Sequence, residues 1–274
     1  MNIKLICLII LKYKFMKKIL NTILILLLIV MVYSCDKEKD EPFDEAIIVP
    51  TGKVWMHLHN TVGSNDVELY NTTYFDANGR GLRLSKAQFY ISNIELVKLN
   101  DEVVPAKNIL LKTLEEESYL IGDISVGNYK AVRFKLGLTD DLNNLSPDVV
   151  STNELKDTSM WYNSGDYSDG YVYLNAVGEV DTSIDLSGKY ASFDYKFGTS
   201  SNLVTVNLPE NTFPVYEGII SYIHLNADYS QLFQNLDIKD VNNLNLTTVQ
   251  GNNTKTELVT TLKTNISNLF FSFE

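Results

Sequence analysis

The chain reads as an all-β protein: a single antiparallel β-sandwich of the immunoglobulin-like, Greek-key type, closed by a short C-terminal helix. Three observations predict this. Apolar residues recur with a period of two in many short runs, Gly, Asn, Asp and Pro separate those runs, and one stretch only has helical spacing. The first run sets Val54, Met56 and Leu58 against Trp55, His57 and His59. Val67 and Leu69 then lead to Asp76-Ala77-Asn78-Gly79, an Asn-Gly hairpin signal, and a long strand follows over 84–97. Further strands are expected at 108–114, 119–124, 129–138, 171–180, 191–197, 203–208 and 219–227. Polar stretches at 139–157 and 162–170 read as loops. Thr254 and Glu257 have capping-box spacing, after which Leu258, Leu262, Ile266 and Leu269 fall on one helical face.

Composition supports a folded domain and narrows its partners. Hydrophobic residues make up 45% and charged residues 21% of the 274 residues, which excludes wholesale disorder. The net charge is −11, from 23 Lys plus Arg and 34 Asp plus Glu. Residues 1–35 hold five lysines (Lys4, Lys12, Lys14, Lys17, Lys18) and no acid, so the remainder sums to −11 − 5 = −16. A surface so acidic repels phosphates, which argues against nucleic acid and favours cations as small partners.

The front of the chain has the form of an export signal. Met16-Lys17-Lys18 opens a charged region, residues 19–32 form an apolar run, and Val32-Tyr33-Ser34-Cys35 has the form of a lipobox. On this reading Met16 is the true initiator, 1–35 is a signal peptide, and Cys35 is the lipidated first residue of the mature protein. The alternative is a permanent membrane anchor with an incidental Cys35, although the apolar run is short for a span. Residues 36–50 form a charged, flexible tether, and 51–274 the folded domain. The acidic start of the tether resembles the export signal of surface lipoproteins of Bacteroidetes-type bacteria, implying display on the outer membrane.

Cysteine count limits the chemistry further. Only Cys7 and Cys35 exist. Once the leader is removed and Cys35 acylated, no thiol remains for a disulfide, a nucleophile or a thiolate metal site. There is also no phosphate loop, no Gly-x-Ser-x-Gly elbow and no His-Glu-x-x-His motif, so binding rather than catalysis is expected.

The three histidines then become the informative residues. Side chains alternate along a strand, so His57 and His59 share a face with Trp55 while Val54, Met56 and Leu58 claim the core. His224, between Ile223 and Leu225, faces outward by the same argument. Imidazoles without thiolate suit copper, zinc or nickel, and Met56 or Met160 offers a soft thioether. The competing reading is a solvated histidine pair with no metal. The run Glu115-Glu116-Glu117 reads as a solvated turn. Loop aromatics Trp161, Tyr162, Tyr167 and Tyr171 suggest an alternative role, a metal-free surface module binding a glycan or partner protein through residues 160–171.

The tract Phe89-Tyr90-Ile91-Ser92-Asn93-Ile94 resembles the signature of the MbnP-like family of secreted or lipid-anchored β-sandwich proteins, associated with methanobactin copper-chelator cassettes. Phe134-Lys135-Leu136-Gly137-Leu138, Val177-Gly178-Glu179, His224-Leu225-Asn226-Ala227-Asp228, Leu232-Phe233 and Asn265-Ile266-Ser267-Asn268-Leu269-Phe270 follow in the family's order. The resemblance implies extracytoplasmic copper binding by His57, His59 and His224. It also implies, for some members, a tryptophan oxidised by a partner haem peroxidase, for which Trp161 beside Met160 is the matching candidate. Lys196 stands where many relatives carry histidine.

Overall fold

The computed structural model describes residues 12–19, 49–162, 170–249 and 255–273. Residues 12–19 are helical with exposed side chains. Among the described residues no helix is long and apolar enough to cross a membrane. The lipobox, Cys35 and most of the tether lie outside the described residues, as do 163–169 of the aromatic loop.

From Val49 onward the chain forms one compact unit, built as a sandwich. Its principal strands are β1 (Thr51–Val62), β2 (Gly81–Lys98), β3 (Ser118–Ser125), β4 (Gly127–Leu136), β5 (Gly170–Asp181), β6 (Tyr190–Gly198), β7 (Val204–Asn207), β8 (Ile220–Asp228) and β9 (Phe270–Phe273). Helix α1 spans Thr256–Ser267. Among the described residues the smaller sheet runs β9-β8-β1-β3, with Asn65–Asp66 also on β1. The larger runs β7-β4-β2-β5-β6 and ends on Asn245–Thr247, with short strands along β2, β4 and β5.

Pairing is mostly antiparallel, as the alternating pattern predicts, but among the described residues two ladders are parallel: β1 with β8, and β6 with Asn245–Thr247. Parallel neighbours need a crossover; between β1 and β8 that crossover holds β2 and β4–β7 of the larger sheet, with β3 returning to the smaller one.

The main core lies between the sheets. Val54, Met56 and Leu58 of β1 and Ile223, Leu225 and Ala227 of β8 are fully buried there, against Ala87, Phe89 and Ile91 of β2. Alternation sends Tyr90 of β2 and Tyr171 and Tyr173 of β5 to the opposite face of the larger sheet. They join Leu155 and Met160 in a second apolar cluster. The segment 139–157 that covers this cluster is therefore more than a polar loop: it holds a helical turn at Asp140–Asn143, a 3-10 turn at Asn153–Lys156, and buried Val150 and Leu155.

Two local devices bend β2 and lock it in place. Asn93 adopts φ 50°, a left-handed conformation that asparagine tolerates, where pairing with β4 breaks between Ser92 and Glu95. Beside it, Ser92 Oγ donates to the Gly137 carbonyl at 2.6 Å and Gly137 N–H donates to the Tyr90 carbonyl at 3.0 Å. The expected hairpin is present: Gly79 takes φ 82°, and Tyr74–Phe75 pairs back onto Leu82 and Gly81. α1 buries Leu258, Leu262 and Ile266 and packs on β7 and the 3-10 turn Tyr229–Phe233. Its first residue is Thr256, preceded by Lys255 without a side-chain cap; Thr254 lies outside the described residues.

Candidate metal centre

His57 and His59 project from the outer face of the smaller sheet because the residues between and around them are committed to the core. The parallel register then sets His224 directly across from His57. Ring centroids lie 4.3 Å apart for His57 and His59, 5.0 Å for His57 and His224, and 6.2 Å for His59 and His224. His57 and His59 are half-buried and His224 is exposed. One ring nitrogen from each lies within 4.8 Å of the other two.

That spacing fits a metal ion. A triangle with no side above 4.8 Å places every corner within about 2.8 Å of a common centre, whereas metal–imidazole bonds run near 2.0–2.1 Å. Each ring therefore closes by less than about 1 Å, within the reach of a small χ rotation. The donor set is nitrogen without thiolate, which suits copper or zinc and does not suit calcium or magnesium.

Glu117 stands beside this constellation, next to two of its three histidines, and sequence reasoning missed it. Its carbonyl accepts from the Leu58 N–H at 2.8 Å, so it is pinned to β1 between the two histidines. Its Oε2 then lies 3.4 Å from His57 Nε2 and 3.7 Å from His59 Nδ1. The turn that delivers it is held from beneath. Lys112, fully buried, donates through Nζ to the carbonyls of Thr113 and Glu116, and Tyr119 Oη also donates to Glu116 O at 2.8 Å. Burial pulls the Lys112 amine down to about 8, while the neighbouring acids Glu117, Glu115 and Glu116 pull it the other way. Glu117 stands in an acidic run, and only the pairing of β3 with β1, which no local pattern encodes, distinguishes it from its neighbours.

The next row on this face holds Trp55, across from Tyr222 on one side and Leu120 on the other. Trp55 is half-buried, and among the described residues its indole Nε1 is buried without a hydrogen-bond partner. Trp55 thus stands one strand step from His57, on the same face.

Met160 and Trp161 are not brought to the histidines. Met160 is fully buried in the second cluster, and Trp161 packs edge-on against Tyr171 at 4.8 Å. That cluster is on the outer face of the larger sheet, so both sheets and the core between them separate it from His57. Tyr171 is fully buried and donates to the Leu155 carbonyl at 2.7 Å, which leaves no face for a sugar ring. Tyr162 is half-buried on the short strand paired with Gly170, and residue 167 lies outside the described residues. Lys196 also lies away from the histidines, on the outer face of β6, ion-paired with Asp194. An amine at that position therefore leaves the three-histidine cluster intact.

Comparison with known proteins identifies a family for this chain. The family model MbnP matches residues 51–250. No curated protein matches. Among solved structures, MbnP from Methylosinus trichosporium superposes at a TM-score of 0.44 with 16% identity, covering 68% of this chain and 78% of that one. The family match spans β1 through the strand after β8, and so includes all three histidines and Glu117. The chain belongs to the MbnP family.

Proposed function

We propose that the protein is a lipid-anchored, extracytoplasmic copper-binding protein that holds one copper ion through His57, His59 and His224, for acquisition or handling of the metal rather than catalysis. The observation that carries this reading is the convergence of three imidazoles, one ring nitrogen each, within 4.8 Å on an open sheet face. Membership of a family linked to copper handling supports it, as does a donor set without thiolate or competing oxygen cage. Two half-buried ligands and one exposed ligand make a site that a metal enters and leaves without unfolding the sheet. That is what a carrier needs.

The same reading reassigns the redox-sensitive tryptophan. If a partner haem peroxidase acts on this protein, the residue in reach of the site is Trp55, whose indole N–H lacks a protein partner, rather than Trp161. Mass analysis of peptides after coexpression with such a peroxidase distinguishes the two.

Titration of the mature domain with copper under a competing chelator tests the proposal. One equivalent bound tighter than micromolar is expected, with loss of at least about 100-fold in the His57→Ala, His59→Ala double variant. Absence of binding, or affinity unchanged in the double variant, overturns it. Preferential retention of zinc in elemental analysis of native protein reassigns the metal and keeps the site.

A further inference from the structure

We infer that Glu117 is a fourth donor of the site, and that it serves the divalent state of the bound metal. The inference rests on the three-histidine reading and asks what else reaches the ion. A single carboxylate oxygen stands between two rings, at 3.4 Å and 3.7 Å. It is held there from both ends. The Glu117 carbonyl is bonded to β1 between the two histidines, and the turn before it is drawn onto buried Lys112 and Tyr119. The backbone that carries the carboxylate is therefore fixed against β1, and the side chain, 40% exposed, reaches from it to the two rings.

Its chemistry differs from that of its neighbours. Three neutral imidazoles satisfy a monovalent, soft copper ion, which accepts low coordination numbers. A divalent ion takes four or more donors and gains from an anionic oxygen. Removing a carboxylate at this distance therefore falls mainly on the divalent ion, through both the lost bond and the lost negative charge. A carboxylate that only orients the rings through their second nitrogens would instead act on both oxidation states alike.

The experiment measures Kd for Cu(I), Cu(II) and Zn(II) with the folded mature domain, its Glu117→Gln variant and a Glu116→Gln control. The control removes the same charge from the same turn. Glu117→Gln is expected to weaken Cu(II) and Zn(II) by roughly tenfold or more while Cu(I) stays within about threefold, and to alter the Cu(II) EPR hyperfine pattern. The control is expected to leave all three constants near wild type. Equal weakening of all three ions, no weakening of any, or the same divalent loss in the control overturns the inference. Failure of the parent domain to bind any of the ions overturns the three-histidine reading itself, a separate result.

Discussion

Lys112 is the residue whose behaviour departs most from its type. A fully buried amine with two carbonyl partners loses its proton near pH 8, whereas the unfolded chain holds it to about 10.4. Between those values the unfolded state binds more protons, so stability rises with pH through that window, by about 3 kcal/mol at most. Burial pushes the phenols of Tyr90, Tyr119, Tyr195 and Tyr229 up, which acts in the opposite sense once unfolded tyrosines ionise above about pH 10. Urea unfolding from pH 7 to 11 should therefore show a maximum between about pH 9 and 10, and Lys112→Met should flatten the rising limb. A monotonic decline from pH 7 in the parent protein contradicts this account. The outward placement of His57 and His59 was legible because alternation is local and Val54, Met56 and Leu58 left no choice. The roles of Glu117 and Lys112 were not, because each depends on which strand lies beside β1.

At the level of elements, the motifs that mark the family turn out to do scaffold work. Ser92 and Gly137 bind the bend in β2 to the end of β4. Asp228 accepts from Gly63 N–H and Ser230 N–H and so fixes the exit from β8, while Asn265 donates to the carbonyls of Leu232 and Gln234 and seats α1. Gly178 sits at a register shift between β5 and β2, where an added Cβ falls 2.0 Å from the Arg83 carbonyl oxygen. Gly178→Ala should cost about 1–3 kcal/mol, read as a lower urea midpoint at unchanged slope. Asn93→Val, a β-branched residue forced into left-handed φ, should destabilise similarly, while Asn93→Gly should be nearly neutral. Most strands and α1 were readable from period and turn residues. The parallel ladder between β1 and β8 was not, because it joins segments far apart in sequence and both alternate as an antiparallel pair would.

For the molecule as a whole, the proposed reading removes a basic leader and leaves a −16 domain tethered to a surface. Cys35→Ser should release the protein from the membrane fraction into the soluble fraction, with the copper affinity of the domain unchanged; retention on the membrane would favour an uncleaved anchor. Ligand linkage predicts a rise in unfolding free energy of about 2.7 kcal/mol at a free copper concentration 100 times Kd. Calorimetry with and without metal checks it, and the His57→Ala, His59→Ala variant should show no rise.

The parallel register has a consequence for how such a protein matures. His57 and His224 are 167 positions apart in the chain (224 − 57), yet they are direct neighbours in space. A chain that crosses a membrane from its N-terminus delivers His57 early and His224 nearly last. A chain that ends before residue 224 lacks the complete triad. Under the proposed export and copper binding, the three-histidine site is complete only once His224 has crossed, so metal loading would follow passage of most of the domain.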